Sequence, residues 1–236
     1  MNREIAVLIP AHNEERTIGG LVSKLKEKFE TVVVVDDGSS DRTGLLAEEN
    51  GATVLKHSVC RGKGEALKTG FRYILENLSD ISAVLTMDGD GQHKAEDVVH
   101  FEKAYRRNKN ISIWVGKRKI KGTDMPFIRR ITNISMSILI SLISFQWIPD
   151  TQNGFRLIKR YVIKNVTLIT SKFETESELL IKAGWKMYRI GSVPISTVYS
   201  KEKSKINPTA DTMRFFRMLL FILFPLLLKV KLWRRN

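Results

Sequence analysis

The sequence has little that could hold a disulfide framework or a zinc cluster. Cys60 is the single cysteine among 236 residues, and the four histidines are scattered without metal-ligand spacing. The chain has no internal repeat, no low-complexity tract and no run of about 20 apolar residues able to cross a membrane. Its first residues, MNREIAVLIP, lack the pattern of a signal peptide. We therefore expect a reducing, cytoplasmic setting.

Basic residues are in excess, and they are concentrated near the end of the sequence. The net charge is +14, and 43% of the residues are hydrophobic. Residues 218–228 are all apolar and are flanked by Lys and Arg, as in helices that lie at an anionic lipid surface. Docking on the protein's own core or on a partner subunit is the alternative. We expect a catalytic domain at residues 1–208 and a basic amphipathic helix at 209–236, capped by Thr209 or Asp211.

Apolar runs alternate with amphipathic stretches through the first half of the chain. Such alternation predicts an α/β fold with a mostly parallel central sheet and helices on both faces. In sheets of this kind, ligands bind beyond the carboxyl ends of the strands. The predicted strands are residues 5–9, 32–35, 53–55, 83–87, 111–115, 154–158 and 187–195, and the predicted helices are residues 14–28, 42–49, 64–78, 95–107, 127–145 and 174–184.

Two aspartates at the end of one predicted strand are the most informative feature. Asp88 and Asp90 follow the mostly apolar residues 83–87, with Gly89 between them. Carboxylate oxygens suit hard divalent cations, so the pattern predicts an Mg²⁺ or Mn²⁺ site that holds a substrate diphosphate. An EF-hand calcium loop starting at Asp88 would need Glu at its twelfth position, where the chain has Val99. An ordinary polar turn is the remaining alternative.

A second polar cluster, PAHNEE, follows the first predicted strand. Pro10, His12 and Glu14 are rigid or polar groups able to contact a base and a ribose. As a bare motif, the cluster is equally well a helix-capping loop with Asn13 as the cap.

A third cluster, DDGSSD, follows the second predicted strand. Asp36 or Asp37 could accept hydrogen bonds from a base or ribose, and Asp36 is the better candidate. The alternative is a turn in which Ser40 or Asp41 caps the next helix. Because the carboxyl ends of parallel strands meet at one edge of a sheet, we expect the three clusters to share a ligand.

The segment RGKGEAL, residues 61–67, is glycine-rich at the start of a predicted helix. A helix N-terminus attracts anions, and Lys63 adds a positive charge there. The segment lacks the spacings of a dinucleotide-binding turn and of a P-loop. Alone it is only a weak indication of phosphate binding.

Seven motifs occur in an order that resembles the family-2 glycosyltransferases of the GT-A fold. Within them the chain resembles the polyprenyl-phosphate hexosyltransferases, the group of dolichol-phosphate mannose and glucose synthases. The resemblance runs from about residue 5 to residue 215 and depends on motif order and spacing. It implies a nucleotide-diphosphate sugar donor, a divalent metal and a polyprenyl (dolichyl) phosphate acceptor. The motifs are PAHNEE, VVDDGSSDRT, RGKGEAL, MDGDGQH, VGKR, DTQNGFR and VPISTVYSKEKSKINP.

The residues and the resemblance together give a set of candidate site residues. The donor-binding candidates are Pro10, His12, Asn13, Glu14, Asp36, Asp37, Lys63, Asp88, Gly89, Asp90 and Lys205. The resemblance implies Asp88, Asp90 and Gln92 as metal ligands. The candidates for the acceptor phosphate are Arg129, Arg130 and Arg156, for each of which a solvated surface position is the alternative. The catalytic candidates are Asp88, Asp90, Arg118 and Arg156.

A phosphate acceptor changes the need for a general base. A sugar hydroxyl must lose a proton as it attacks, whereas a phosphate monoester has a second pKa near about 6 and is already nucleophilic at neutral pH. We therefore expect inversion by direct attack of the lipid phosphate, without an essential side-chain base. The residues that could otherwise act as base are Asp150, Glu174, Glu176 and Glu178.

The predicted helix 127–145 has apolar residues at helical spacing and arginines at its start. With the C-terminal helix it would form an apolar face for the polyprenyl tail, on the cytoplasmic face of a membrane, peripheral or shallowly inserted. Core packing is the alternative for this helix, and a small membrane subunit or a homodimer is a possible further partner. The apolar positions are Ile131, Ile134, Ile138, Leu142 and Phe145.

Two other functions are compatible with the sequence. One is a glycosyltransferase with a saccharide or other soluble acceptor, and the other is a non-catalytic basic module for membranes or nucleic acid. Nucleic acid is not expected as a partner, because the aromatic residues lie in apolar runs rather than beside basic groups on an exposed face. Binding of a nucleoside diphosphate that depends on Mg²⁺ or Mn²⁺ would separate the enzyme from the binding module.

Overall fold

A computed structural model describes residues 1–118, 127–196 and 213–223, with the side chains of 127–129 outside the description. The strands are β1 (Asn2–Ala11), β2 (Phe29–Asp36), β3 (Thr53–Lys56), β4 (Ala83–Thr86), β5 (Ile113–Arg118), β6 (Arg156–Lys159) and β7 (Ile190–Ile195). The α-helices are α1 (Ile18–Lys26), α2 (Thr43–Glu49), α3 (Lys63–Asn77), α4 (Val98–Arg107), α5 (Phe127–Ser144), α6 (Arg160–Asn165), α7 (Glu174–Trp185) and α8 (213–223). A 3₁₀ turn, Ala95–Asp97, precedes α4.

The strands form one seven-stranded sheet in the order β3-β2-β1-β4-β6-β5-β7. Parallel pairing joins β1 to β2 and β4, β2 to β3, and β5 to β7. In the described sheet, β6 runs antiparallel to both of its neighbours. The prediction of a mostly parallel α/β sheet is confirmed.

Both faces of the sheet are buried, and the period of two along a strand assigns side chains to them. In β1, Val7 and Ile9 belong to one apolar cluster, and Leu8 belongs to the other. The first cluster contains Phe101 of α4, and the second contains Leu180 of α7. Helices therefore cover both faces, as the alternation of apolar and amphipathic stretches predicted.

Two element boundaries differ from the prediction in ways that matter for the site. The helix predicted at residues 14–28 begins only at Ile18, so residues 12–17 form a loop at the sheet edge. The strand predicted at 111–115 is β5, Ile113–Arg118, because it pairs with β7 as far as Arg118. The whole VGKR motif therefore belongs to this strand.

Helix α5 turns small polar side chains inward. Ser137, Ser141 and Ser144 are buried. The Ser137 hydroxyl lies 3.2 Å from the Thr151 hydroxyl, and Ser141 Oγ accepts a hydrogen bond from the Ile148 N–H at 2.9 Å. A stripe of large apolar residues on the same helix is exposed, so the core-packing alternative is wrong for these residues. The stripe consists of Ile131, Ile134, Ile138, Leu142 and Phe145, with Phe145 directly after the helix.

Helix α8 is apolar both toward the core and toward solvent. Phe215, Met218, Leu219 and Ile222 are buried in the same cluster as Ile140 of α5. Its outer side exposes Met213, Phe216, Leu220 and Phe221. The remainder of the predicted 209–236 helix, and the predicted caps, lie outside the described residues. Within the described part of the chain, every helix is too short or too polar to cross a bilayer.

Candidate active site at the carboxyl edge of the sheet

The three polar clusters meet at the carboxyl ends of β1, β2 and β4. The Asp37 N–H donates to the Ala11 carbonyl at 2.8 Å, and the Thr17 hydroxyl donates to the Gly89 carbonyl at 2.6 Å. Asn13 Oδ1 accepts a hydrogen bond from the Ser40 N–H at 2.9 Å. Each cluster is thus tied to another by at least one hydrogen bond.

A lysine is held between the acidic pair and a glutamate of α7. Lys63 Nζ lies 2.6 Å from Asp88 Oδ1 and 2.8 Å from Glu176 Oε2. The side chain of Lys63 is 15% exposed and that of Asp88 is 27% exposed, so the pair borders solvent without being open to it. Glu176 Oε1 also lies 3.9 Å from Nη2 of Arg156. The geometry forms a chain of alternating charges that starts at the DGD motif.

The surroundings shift the pKa values of these groups in opposite directions. Burial raises the pKa of Asp88, but the charges of Lys63, His93 and Arg156 and the hydrogen bond from Lys63 together outweigh burial and lower that pKa to about 2. Burial and then the Asp88 charge raise the pKa of Asp90. Burial lowers the pKa of Lys63. The charges of Asp88 and Glu176 and their hydrogen bonds together raise that pKa by more than burial lowers it, so the net shift is upward. Asp88 and Lys63 are therefore charged at neutral pH.

The donor set at Asp88 and Asp90 fits a hard divalent cation. Two carboxylates one residue apart repel each other, which is the reason the Asp88 charge raises the pKa of Asp90, and a cation between them would relieve that repulsion. In the described part of the chain, no group of three or more His, Cys, Asp or Glu side chains is placed to share a metal. Further ligands would have to come from elsewhere, for example from the predicted ligand Gln92, whose N–H donates to Asp90 Oδ1 at 3.0 Å.

Gly154, in the DTQNGFR motif, closes one side of this site. A Cβ atom at Gly154 would lie 2.7 Å from Lys63 Nζ and 2.8 Å from Asp88 Oδ2. Such contacts are shorter than real Cβ contacts, so any other residue would displace the ion pair. The glycine is explained by the close approach of the backbone to Asp88.

His93 packs beneath the surface of the site and binds the backbone of the loop that carries Asp88. It is buried, its ring packs 5.1 Å from the Phe155 ring, and its Nδ1 accepts the Asp88 N–H at 3.3 Å. Burial lowers the pKa of His93 against the opposing effect of Asp88 and Asp90. The neutral form matches its role as acceptor for the Asp88 N–H.

The carboxylate of Asp37 is bound by neighbouring groups of the chain, and its assignment to the donor stays a prediction. Its carboxylate accepts the N–H of Gly62 at 2.7 Å and of Arg61 at 2.9 Å, and it pairs with His57 Nδ1 at 2.7 Å. Its side chain is only 5% exposed. Burial raises the pKa of Asp37, but these hydrogen bonds outweigh burial and lower it. Asp37 therefore fixes the loop that leads to Lys63.

We predict that Asp37→Asn lowers the free energy of unfolding at pH 7 by about 2 kcal/mol, because hydrogen bonds to a buried carboxylate are lost. A carboxylate whose folded pKa is lowered stabilises the protein above its unfolded pKa of about 3.9 and loses that effect as pH falls through the folded pKa. Urea unfolding of both proteins across pH 3 to 8 measures the difference. It should be full at neutral pH and shrink below about pH 4; a difference that stays constant with pH would contradict the assignment.

Asp36 and Asp41 lie at the two ends of the loop between β2 and α2. Asp36, the last residue of β2, is buried, and its Oδ1 accepts the Ser39 N–H at 3.0 Å. Asp41 precedes the N-cap residue of α2, Arg42, and its Oδ1 accepts the Thr43 N–H at 2.9 Å, so the prediction that Asp41 is the cap is off by one residue. Asp36 remains a donor-binding prediction because it ends a strand at the shared edge.

The remaining donor candidates line the same edge. Pro10 belongs to the end of β1, and the buried Glu14 lies at the back of the loop, where its N–H donates to the Thr43 hydroxyl at 2.7 Å. His12 Nδ1 lies 2.9 Å from the Asp37 carbonyl. Asn13 has a positive φ of 54° and does not cap α1, since it bonds the β2–α2 loop instead. Lys205 lies outside the described residues.

The arginine candidates occupy three different environments. Arg118 forms two hydrogen bonds of 2.8 Å with the Asp150 carboxylate, so Asp150 positions Arg118. Arg156 is 1% exposed and donates to the carbonyls of three residues: Asn153, Thr151 and Glu176. That burial excludes Arg156 from contact with an acceptor in this structure. Arg130 is exposed in the first turn of α5, and the side chain of Arg129 lies outside the described residues.

The possible general bases are mostly committed to other partners. Asp150 is bound by Arg118, and Glu176 is bound by Lys63. Glu178 is fully buried, accepts the Thr170 N–H at 2.9 Å and pairs with Lys182. Glu174 differs, since its buried Oε2 has no hydrogen-bond partner among the described residues.

Sequence reasoning missed the partners that organise the site. Glu176 was considered only as a base, and Gly154 and His93 were given no role. The available signals were an acidic residue in the first turn of a helix, a glycine before a strand and a histidine in MDGDGQH. None of these signals identifies the partner across the fold.

Comparison with known protein families shows which family this chain belongs to. The family model described as Glycosyl transferase family 2 matches residues 6–167, which include all three polar clusters. The chain belongs to this family. A family-2 chain with this order of motifs is a glycosyltransferase, so the prediction of an enzyme of this class is confirmed.

Two similar proteins are named as transferases that use dolichyl phosphate. The chain is 30% identical to a UDP-N-acetylglucosamine–dolichyl-phosphate N-acetylglucosaminyltransferase of Methanococcus voltae, covering 84% of this chain and 86% of that one. It is 28% identical to a dolichyl-phosphate hexose transferase of Haloferax volcanii, covering 88% of both chains.

Solved structures share the GT-A fold. Glucosyl-3-phosphoglycerate synthase of Mycobacterium tuberculosis, in complex with Mn²⁺, UDP and glucosyl-3-phosphoglycerate, matches with a TM-score of 0.74 and 18% identity. The match covers 93% of this chain and 79% of that one. At this identity the comparison establishes the fold.

Proposed function

We propose that this family-2 glycosyltransferase moves a hexose from a nucleotide-diphosphate sugar to a polyprenyl or dolichyl phosphate, with inversion and with a divalent metal. One observation carries the proposal. The acidic pair Asp88 and Asp90 lies at the carboxyl edge of the sheet, beside the partly buried ammonium of Lys63. Relatives named as dolichyl-phosphate transferases support the acceptor class.

Different residues at the sheet edge would bind different parts of the donor. Pro10, His12, Glu14 and Asp36 would hold the nucleoside, and Asp88, Asp90 and Gln92 would hold the cation. When bound, an Mg²⁺ or Mn²⁺ ion supplies positive charge that stabilises the leaving diphosphate. Complexes of the Mycobacterium tuberculosis enzyme with Mn²⁺ and UDP support both ligands.

Residues near the strand ends would position the acceptor phosphate. Arg118 is held rigidly by Asp150 at the end of β5, and Arg130 is exposed at the start of α5. Arginine binds phosphate in a bidentate manner. We assign these two residues to the acceptor in place of the buried Arg156, with Arg129 as a further candidate.

The state of the carboxylates supports attack by the phosphate itself. A general base must reach the proton that it removes, and three of the four candidates are bound by cations: Asp150, Glu176 and Glu178. A lipid phosphate needs no such residue, because its dianion is present at neutral pH. Direct attack by a phosphate oxygen then inverts the anomeric carbon.

We predict that Glu174→Gln changes kcat by less than about threefold, because Glu174 is not a base in this reaction. A general base contributes about 100- to 10,000-fold, so the two roles are easily separated. Steady-state transfer to polyprenyl phosphate across pH 6 to 9 gives the measurement. A loss beyond about 100-fold at unchanged donor affinity would establish Glu174 as the base and refute direct attack.

The inverted polarity of α5 supports an apolar partner for its outer face. Three serines of this helix, Ser137, Ser141 and Ser144, are buried, while Ile131, Ile138 and Leu142 are exposed, with Leu142 at 68%. Water would favour the opposite arrangement. Phe216 and Leu220 of α8 extend the exposed apolar surface. We propose that this surface rests on an anionic membrane at the cytoplasmic face and receives the polyprenyl tail.

We predict that Leu142→Glu weakens binding to vesicles containing anionic lipid by about 10-fold or more, because burial of a leucine side chain is worth about 1.5–3 kcal/mol. The melting temperature should change little, because Leu142 does not belong to the core. Leu45→Glu is the matched control, since Leu45 is an exposed leucine on α2. Vesicle sedimentation that treats both variants alike would contradict a membrane role for α5.

Transfer itself tests the main proposal. Membranes carrying the full chain are incubated with labelled nucleotide sugars and polyprenyl phosphate, with 3-phosphoglycerate as a soluble alternative acceptor. We expect labelled lipid that disappears on chelation of divalent metal and falls at least about 100-fold in Asp90→Asn. Transfer only to the soluble acceptor would establish the alternative function. Full activity of Asp90→Asn in the presence of chelator would refute the metal-dependent mechanism.

A further inference from the structure

The ammonium of Lys63 is paired with the carboxylate of Asp88, which is also a predicted ligand of the metal. Lys63 Nζ lies 2.6 Å from Asp88 Oδ1, and Gly154 packs against the same pair of side chains. A divalent cation at Asp88 and Asp90 would therefore compete with Lys63 for the negative charge of Asp88. An ammonium displaced in this way needs a second anchor to stay in the site.

Glu176 is that second anchor. Its Oε2 lies 2.8 Å from Lys63 Nζ, and it belongs to α7, a helix separate from the acidic loop. Lys63 itself begins α3, where the helix N-terminus favours a bound anion. Glu176 can thus hold the ammonium near the mouth of the site when Asp88 is taken by a cation.

The charges of the cluster agree with an exchange of partners. Asp88, Asp90 and Glu176 carry three negative charges, and Lys63 and Arg156 carry two positive ones, which leaves a net charge of −1. A divalent cation changes this to +1. The loaded site is then positive and attracts a diphosphate, and Lys63 is the cation nearest to the acidic loop in the described structure.

We propose that Lys63 is an exchangeable counterion and that Glu176 is its pivot. In the metal-free chain the ammonium pairs with Asp88. After a divalent cation binds the acidic pair, the ammonium turns toward the diphosphate of the donor while Glu176 continues to hold it. Glu176 is a positioning residue, since it acts through Lys63. The inference rests on the proposed function because it needs a diphosphate ligand.

The exchange predicts opposite effects of one substitution on two ligands. In Lys63→Met, Mn²⁺ alone should bind about 3- to 10-fold more tightly, because Asp88 has lost its internal cation. In the presence of saturating Mn²⁺, UDP or GDP should bind at least about 10-fold more weakly, because the diphosphate has lost a cationic partner. Isothermal titration of the full-length proteins with Mn²⁺, and then with each nucleotide, measures both effects.

The pivot is tested by a double-mutant cycle. Glu176→Gln should weaken nucleotide binding in the wild-type background and have little effect in the Lys63→Met background, because its effect passes through the lysine. Lys68→Met is the matched control, since Lys68 pairs with Glu65 on the same helix at 2.6 Å and lies outside the acidic cluster. That variant should bind both ligands like the wild type. Circular dichroism checks that every variant is folded.

Two results would overturn the inference. If Lys63→Met weakens Mn²⁺ binding, the lysine supports Asp88 rather than competing with the metal. If Glu176→Gln acts equally with and without Lys63, Glu176 is not a pivot. Either result is compatible with nucleotide binding by the wild type, so the proposed function would stand. A wild-type protein that binds neither Mn²⁺ nor a nucleotide would overturn both.

Discussion

The contact between the Lys63 ammonium and the carboxylates of Asp88 and Glu176 joins three separate parts of the fold. Lys63 begins a helix on one face of the sheet, Asp88 follows a central strand, and Glu176 lies in the first turn of a later helix. Removing either acid would leave a poorly solvated charge, which is costly. The site can therefore form only when all three elements are packed, and the reactive edge depends on the completed fold.

Several neighbouring residues at the sheet edge hold Lys63 in position. Asp37 fixes Arg61 and Gly62 by accepting their N–H groups, and Gly62 has a φ of 103°, a value that suits glycine. On the opposite side Gly154 leaves room for the ion pair. Side chains that look like ligands in the sequence are thus partly scaffolding, and Asp37 is the clearest case.

The sheet edge was predictable because its signals are local. An apolar run that ends in Asp88, or in Asp36, reports both a buried strand and a polar strand end. The partners were not predictable, because Glu176 meets Lys63 only through tertiary packing. The same holds for Arg156, since an arginine at the start of a strand gives no sign that its donors are taken by carbonyl groups. The sequence also could not show that Asp37, rather than the adjacent Asp36, binds the backbone of the loop at Arg61 and Gly62.

The segment between α5 and β6 connects the exposed apolar face of α5 to the polar site at the sheet edge. The chain leaves α5, turns at Phe145 and passes Ile148, Asp150 and Gly154 on its way to β6. Along that path Ser141 of α5 is bonded to Ile148, Asp150 positions Arg118, and Gly154 contacts the Lys63–Asp88 pair. If the outer face of α5 rests on lipid as we propose, the helix is linked within a few residues both to Arg118, the residue proposed for the acceptor, and to the proposed donor site. One short stretch of chain would then hold an apolar acceptor against a water-soluble donor.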